Sequence, residues 1–345
     1  MPGPSEIRMK SGRSMKRIVC SLLLLGSAAW LGAKQLVVLP DLHKPRRLVV
    51  GPERIYIGEF PKVTIFSRAD FSRIKEFGAE GEGPREFKAF LSLFHAGDRL
   101  VVNSLGKISF FTREGKYIEE KTVNPRAASG VLPVGKDRFV ARGMTAVEEQ
   151  RYITANLLDG EMKSLKELGR LVFGPRKGRI QVLGQQMSYE SDGESIYLLA
   201  GDEFSISVFN REGEKTAVLK LDDYQRVRFT DENKKTILDE IRNNPRQKPY
   251  FDSIKDRLEF PEFWPAIFTV ISRDGNLYVV TYRREKGRCE IITMDRKGRV
   301  IKKSMVPFRF RTAIQPYPTD IREGKLYQLV ENEDEKWELQ AWSLE

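Results

Sequence analysis

The chain has 345 residues, of which 40% are hydrophobic and 31% charged, and it carries a formal net charge of +11. Aromatic and β-branched residues are spread along it without a long polar, low-complexity stretch, which excludes a chain that is largely disordered. This length can bury a large core, so the chain is not one of the small domains that need disulfides or metals to fold.

The first 33 residues differ from the rest of the chain. Five basic residues precede an uncharged, leucine-rich run from Ile18 to Gly26, and small residues follow at positions 27–29. This order is typical of a secretory signal peptide, with cleavage after Ala29 or Ala33. The alternative is an uncleaved membrane anchor, but the uncharged run 18–33 has 16 residues, and a span of the bilayer takes roughly 20.

Export predicts a periplasmic or extracellular protein whose mature part is residues 34–345, with membrane contact only if residues 1–33 stay attached. Residues 1–33 hold five basic residues and one acidic residue, so their removal leaves a net charge of +7. Basic and acidic residues are interleaved, which indicates a mixed-charge surface, and export argues against nucleic acid as a partner. Cys289 is then the one cysteine of the mature chain. It has no histidine near it in sequence, so we interpret it as a structural thiol.

One order of elements repeats along the chain: a turn with Gly or Asp, two strands, a polar turn with Gly, and a further strand. The clearest copies open at Gly97-Asp98, Asp192-Gly193 and Asp274-Gly275, and weaker copies open near residues 53, 137 and 324. Such dipeptides supply the positive φ of tight hairpin turns. The openers are 39 to 57 residues apart, with one interval of 81, a spacing typical of four-stranded blades. The sequence therefore predicts an all-β fold, a six-bladed β-propeller of four-stranded antiparallel blades.

The long interval contains a predicted helical insertion near residues 223–268. Thr230 or Asp231 can cap a helix over 234–242, which Asn244-Pro245 ends, and a second short helix is predicted around 250–258. Insertions in repeat proteins often lie on the binding face. The apolar stripe of the first helix is nevertheless more typical of packing than of recognition.

Closure of the ring needs a strand from outside the last repeat copy, because residues 323–342 supply only two or three strands. An open end would expose a sheet edge. Either Gln35–Leu39 or Arg46–Val50 can add the missing outer strand from the N-terminal side.

The segment 77–87 reads Phe-Gly-Ala-Glu-Gly-Glu-Gly-Pro-Arg-Glu-Phe. It resembles the Gly-x-Gly-Pro-Gly-Glu-Phe element of bacterial exported six-bladed propellers related to NHL-repeat proteins, with Arg85 in place of the third glycine. Together with the blade pattern, the resemblance covers roughly residues 46–345. The resemblance implies the propeller fold but no particular catalytic activity or ligand, since such propellers include binding scaffolds as well as a few lyases and hydrolases. The glycines and Pro84 are expected to shape a loop between blades, and Phe87 to plug the space between them.

Residues that carry catalysis are scarce. His43 and His95 are the two histidines of the chain, too few for a His-rich metal site at a propeller channel, and a surface or loop-packing role is predicted for each. No Gly-x-Ser-x-Gly elbow nominates a serine nucleophile. Calcium could bind the acidic stretch Glu331–Glu335, but that stretch falls at a hairpin tip and we interpret it as a solvated turn. No metal or other cofactor is predicted, and no motif supports calcium.

The densest aromatic cluster, residues 260–265, lies beside the insertion. It could form an apolar platform for a polysaccharide or a peptide, or it could tie the insertion to the ring by packing. The candidate ligand-binding residues are Tyr250, Phe260, Phe263, Trp264 and Arg283.

These observations predict an exported, non-catalytic binding or assembly scaffold that presents propeller loops to a protein or glycan partner in the cell envelope. The alternative is a metal-dependent propeller lyase or hydrolase with its site at the central channel.

Overall fold

The computed structural model describes residues 34–124, 128–174, 178–183 and 186–344. The predicted signal peptide, residues 1–33, lies outside the described residues. The described residues form six four-stranded antiparallel sheets, the blades. In order from the first, innermost strand to the fourth, blade 1 consists of Arg47–Val50, Arg54–Glu59, Lys62–Ser67 and Arg73–Phe77, and blade 2 of Ser92–Ala96, Arg99–Ser104, Lys107–Thr112 and Tyr117–Thr122. Blade 3 consists of Ser129–Val134, Arg138–Val147, Gln150–Leu158 and Ser164–Phe173, and blade 4 of Gln186–Ser191, Ile196–Gly201, Ser205–Phe209 and Lys215–Lys220. Blade 5 consists of Ile267–Arg273, Asn276–Glu285, Arg288–Asp295 and Val300–Pro307, and blade 6 of Thr319–Arg322, Lys325–Glu331, Trp337–Ser343 and Lys34–Leu39.

The first strand of each blade contacts the first strands of both neighbouring blades, so these strands form a closed inner ring around a central channel. The predicted six-bladed propeller is therefore confirmed. The sequence repeat corresponds to the second, third and fourth strands, as in Arg99–Ser104, Lys107–Thr112 and Tyr117–Thr122.

The N-terminal strand Lys34–Leu39 pairs antiparallel with Trp337–Ser343 and becomes the outermost strand of blade 6. The first of the two predicted closing strands is therefore correct. The second is wrong, because Arg47–Val50 is the innermost strand of blade 1. Three of its four residues are buried, as an inner strand packed on both faces requires.

Apolar side chains of neighbouring blades meet in separate core clusters between the blades. Between blades 1 and 2, Phe87 is fully buried and packs with Phe111, their ring centroids 6.3 Å apart. The predicted plug between blades is thus in place. The loop that carries it is held by Glu86, whose carboxylate accepts a hydrogen bond from the backbone N–H of Gly83 at 2.8 Å.

Gly78, at the start of this loop, is expected to tolerate no side chain. Its φ is +106°, and a Cβ there would lie 2.6 Å from the carbonyl oxygen of Pro61 and 2.7 Å from the Phe87 ring. We expect Gly78→Ala to lower the free energy of unfolding by about 2–4 kcal/mol, measured by urea denaturation. Gly324→Ala is the matched control, since its φ is +65° and its Cβ would meet nothing within 4 Å, and it should cost about 1 kcal/mol. Equal losses for the two variants would contradict this account.

The insertion between blades 4 and 5 contains the helix Asp231–Asn243, followed by Phe251–Ile254 between two 3-10 turns, Lys248–Tyr250 and Lys255–Arg257. Both predicted helices are therefore present. Thr230 is the N-cap: its side chain accepts from the Asn233 N–H, and the Asn233 side chain accepts from the Thr230 N–H. This capping box satisfies two N–H groups that a helix start leaves without partners.

The insertion contacts two connections between blades. Leu258–Glu259 pairs in parallel with Ile180–Gln181 between blades 3 and 4, and Glu240 accepts a 2.7 Å hydrogen bond from the Ala313 N–H between blades 5 and 6. No helix in the described ranges is long and apolar enough to cross a membrane.

Candidate functional site at the channel mouth

A cavity of about 690 Å³ opens at the end of the channel where the first strand of each blade turns into the second. All six blades contribute to its wall. The lining includes Val50 from blade 1, Gly97 and Asp98 from blade 2, Gly135 and Lys136 from blade 3, Asp192 to Glu194 from blade 4, Asp274 and Gly275 from blade 5, and Arg322 from blade 6. Its size lies within the range of small-molecule sites, about 300–1,000 Å³.

Arginines recur at one position of the repeat, and two of them, Arg211 and Arg296, line this mouth. They occupy the turn between the third and fourth strands of four blades, as Arg68, Arg113, Arg211 and Arg296. Arg296 Nε lies 3.0 Å from the carboxylate of Asp192 in the preceding blade. Arg211 pairs with Glu194 of its own blade. The turns of blades 4 and 5 therefore set arginine–carboxylate pairs along the edge of the cavity.

The other two arginines of this set hold turns in the same way. Arg68 pairs with Glu323 of blade 6 at 2.5 Å, and Arg113 donates a 3.0 Å hydrogen bond to the carbonyl oxygen of Gly97. A guanidinium offers several N–H donors in one plane, which suits it to brace a carboxylate or a carbonyl oxygen.

Arg273, at the end of the first strand of blade 5, lies between the buried carboxylate of Asp320 and the largely buried carboxylate of Glu190, whose side chains are 4% and 15% exposed. Its Nη1 is 3.0 Å from Glu190 of blade 4, and its Nε is 3.4 Å from Asp320 of blade 6. Asp320 also accepts a 2.8 Å hydrogen bond from the Val50 N–H of blade 1. Four successive blades are therefore joined through one buried arginine.

Burial and charge act against each other in this group. Burial raises the pKa of both Glu190 and Asp320, and the Arg273 charge counters part of that rise. Burial alone would lower the pKa of Arg273, but the Asp320 and Glu190 carboxylates outweigh it and the pKa is raised. Arg273 is therefore held protonated by its two partners.

His95 also lines the cavity, half-buried, and its Nε2 has no hydrogen-bond partner among the described residues. Burial lowers the pKa of His95 to about 4, and the charges of Arg113, Arg273 and Arg322 add to this effect. The imidazole is therefore neutral at pH 7. The sequence-based prediction of a surface or loop-packing role for this residue missed its place at the mouth.

Stability is expected to depend on pH through His95. Its unfolded pKa is about 6.5 and its folded pKa about 4, so the unfolded chain binds the proton more readily. The contribution of neutral His95 to the free energy of unfolding is fully present above pH 6.5 and is lost as the pH falls toward 4. Relative to His95→Gln, the wild-type protein should lose about 1–3 kcal/mol of unfolding free energy between pH 7 and pH 4. Urea denaturation of both proteins at each pH measures the difference, and parallel pH profiles would contradict the assignment.

The five residues predicted to bind a ligand lie elsewhere, on or beside the insertion. Trp264 is 6% exposed and belongs to a core cluster with Ile237 and Tyr282, and Phe260 packs against the same cluster. Phe263 lies under the guanidinium of Arg226, 5.5 Å from its ring centroid. The structure thus brings Phe260 and Trp264 together in packing that ties the insertion to blade 5.

Tyr250 and Arg283 do not join this packed cluster. Tyr250 is 65% exposed. Arg283 donates a 3.0 Å hydrogen bond to the carbonyl oxygen of Gln225 and stands 5.5 Å from the Tyr224 ring centroid. A ligand-binding role for the five residues stays a prediction.

Other residues singled out in the sequence have clear positions. Cys289 is fully buried, its thiol donates to the carbonyl oxygen of Thr281 at 3.0 Å, and burial raises its pKa to about 12. His43 is exposed, and its backbone binds Glu59 and Trp337. Of the acidic stretch Glu331–Glu335, Glu331 ends the strand Lys325–Glu331 and residues 332–335 form the turn after it, with exposed acids at 333–335. Within the described ranges, no three His, Cys, Asp or Glu side chains are grouped so that they could hold a metal ion.

Comparisons with known proteins give remote structural likenesses. No family model matches the chain, and no curated protein matches it. The chain is similar to a solved member of the DUF4221 family from Bacteroides vulgatus, with 11% identity over 90% of this chain and 97% of that one, and a TM-score of 0.48. It is also similar to a protein of unknown function from Bacteroides caccae, with 11% identity over 77% of this chain and 83% of that one, and a TM-score of 0.43.

Proposed function

We propose that the mature chain is an exported, non-catalytic binding scaffold that holds a protein or glycan partner of the cell envelope at the channel mouth. The observation that carries the proposal is the cavity of about 690 Å³ to which all six blades contribute. Because the residues of this site come from six blades, the geometry of the site depends on the whole ring, which holds those residues in a rigid frame.

The side chains at the mouth are positioned before any ligand arrives. The Asp192 carboxylate accepts hydrogen bonds from the Ser195 N–H at 2.8 Å and from the Tyr197 hydroxyl at 3.0 Å. Arg211 Nε donates to the carbonyl oxygen of Gly193 at 2.8 Å. Groups fixed in this way lose little entropy on binding, which favours affinity.

Two sequence features support the proposal, one for export and one for the binding role. The order of charge and hydrophobicity in residues 1–33 supports export. The loop 77–87, which resembles that of NHL-related propellers, supports a fold in which loops present a surface. A metal-dependent lyase or hydrolase at the channel stays the competing prediction, and elemental analysis of purified residues 34–345 bears on it directly.

The test compares two adjacent basic residues of one turn. Arg296 pairs with Asp192 at the cavity, whereas the exposed Lys297 is not among the residues that line it. Residues 34–345 are immobilised as wild type, Arg296→Ala and Lys297→Ala, and incubated with a detergent-solubilised envelope fraction from the source cell. A partner that wild type and Lys297→Ala retain and Arg296→Ala loses supports the proposal. Equal retention by all three places the partner elsewhere, and Tyr250→Ala then tests the insertion.

A further inference from the structure

We infer that the channel-mouth cavity takes an uncharged, polyhydroxylated ligand, a neutral oligosaccharide. The inference rests on the proposed function and narrows its ligand. It follows from the charge balance of the wall, from the pairing of that charge, and from the donors and acceptors that stand side by side around the rim.

The first step is the charge balance. Seven basic side chains line the cavity: Arg99, Lys121, Lys136, Arg211, Arg273, Arg296 and Arg322. Five acidic side chains line it, Asp98, Glu119, Asp192, Glu194 and Asp274, and two more acids, Glu190 and Asp320, contact Arg273 directly. The lining thus has two more basic than acidic side chains, and Glu190 and Asp320, which contact Arg273 from outside the lining, offset that difference. The site therefore offers little net charge to attract an anion or a cation over distance.

The second step is that most of these charges are already paired. Arg322 lies 3.3 Å from Asp274, and Arg99 lies 3.2 Å from Glu119, in addition to the pairs of Arg211, Arg273 and Arg296 described above. A charged ligand would have to compete with a resident partner of its own sign. A hydroxyl group does not compete, because a carboxylate in an ion pair still has free lone pairs and a guanidinium still has free N–H groups.

The third step is the match between the wall and a hydroxyl-rich ligand. Donor and acceptor groups stand side by side around the rim, and a hydroxyl both donates and accepts. An array of adjacent hydroxyls can therefore satisfy donors and acceptors together, whereas a purely anionic or cationic group satisfies one kind.

The fourth step is that the apolar residues beside the cavity are almost fully covered. Phe110, Leu132 and Phe139 are 4%, 4% and 2% exposed, because they pack in the core clusters between blades. They offer little surface to a ligand, so hydrogen bonds between the rim and the ligand hydroxyls carry the recognition.

Isothermal titration calorimetry of residues 34–345 tests the inference with named probes. The neutral probes are maltohexaose, cellohexaose, xylohexaose and mannohexaose, and the charged probes are hexagalacturonate and a chitosan hexamer. Each is titrated at 50 mM and at 500 mM NaCl. At least one neutral probe should bind, and its Kd should change less than twofold between the two salt concentrations, because screening acts on net charge.

Paired variants locate the binding site. Glu194→Gln and Arg296→Ala change the wall, and each should weaken the neutral probe at least tenfold. Glu212→Gln and Lys297→Ala change exposed charges of neighbouring turns outside the lining, and each should leave the Kd unchanged. The Asp192 carboxylate keeps its bonds to Ser195 and Tyr197 when Arg296 is removed, so Arg296→Ala should retain the fold.

Three results would overturn the inference: binding of charged probes alone, with a Kd that rises steeply with salt; binding of a neutral probe that the wall variants do not change; or no binding of any neutral probe. If envelope capture still depends on Arg296 while no neutral probe binds, the binding scaffold stands and the sugar assignment falls. If neither capture nor sugar binding depends on Arg296, both fall.

Discussion

Arg273→Met is expected to lower the free energy of unfolding by about 3–5 kcal/mol at pH 7.5, because it leaves two buried carboxylates without their counter-charge. Glu190 and Asp320 both contact this guanidinium, and Asp320 is 3% exposed. Methionine keeps much of the side-chain volume, so the loss reports the charge and not a cavity. Urea denaturation followed by tryptophan fluorescence measures it.

The pH dependence separates this explanation from a simple packing defect. Without Arg273, burial and mutual repulsion raise the pKa of Glu190 and Asp320 further, so the folded variant binds protons more readily than the unfolded chain. Protonation of Glu190 and Asp320 therefore stabilises the folded variant. Its loss of unfolding free energy relative to wild type should be smaller at pH 5 than at pH 7.5. Arg299→Met is the matched control, since Arg299 is 80% exposed and pairs with Asp295, and it should cost less than about 1 kcal/mol. A deficit for Arg273→Met that stays constant across this pH range would contradict the charge explanation.

Trp264→Ala is expected to lower the free energy of unfolding by about 3–5 kcal/mol. The indole stacks on Tyr282 with ring centroids 4.9 Å apart, and its Nε1 donates to Asn233 at 3.2 Å. Its loss removes the aromatic stacking that joins the insertion to Tyr282 in the second strand of blade 5. Thermal and urea denaturation measure the change, with limited proteolysis to show whether residues 223–266 become accessible first.

The control for Trp264→Ala is Tyr250→Ala on the same insertion. Tyr250 is 65% exposed, so its truncation should change stability by less than about 0.5 kcal/mol. If instead Tyr250→Ala removes binding to an envelope partner while Trp264→Ala keeps it in the folded protein, the aromatic platform predicted from the sequence gains support over the channel mouth.

Local patterns in the sequence were sufficient to predict the blades. A turn such as Gly97-Asp98, followed by two alternating strands, reports the backbone conformation at that point of the chain, and it recurs because each blade repeats the same hairpins. The helix cap was narrowed to Thr230 or Asp231 by equally local evidence, whereas the closing strand was inferred from a strand missing in the last repeat, and the sequence did not decide between 35–39 and 46–50. The first strands were harder to predict, because a short, buried strand such as Arg47–Val50 has little alternation and no turn motif of its own before it.

The channel-mouth site could not be predicted in the same way. Asp192, Asp274 and Arg322 belong to different blades, and nothing in their local sequence says that three turns converge on one cavity. One signal was present: an arginine in the turn before the fourth strand of four repeat copies, Arg68, Arg113, Arg211 and Arg296. A charged residue kept in register by a repeat faces the same side in every blade, which indicates a shared surface.

The pairing of Lys34–Leu39 with Trp337–Ser343 has a consequence for the order of assembly. Lys34–Leu39 precedes every other strand of the propeller in the chain and pairs with the last of them, Trp337–Ser343. The pairing that closes the ring therefore joins strands of very large sequence separation. Until this pairing forms, Trp337 and Leu339, each 1% exposed in the finished ring, have no cover from the N-terminal strand. A propeller built in this way is protected from aggregation through an unpaired strand edge only once these two strands have paired.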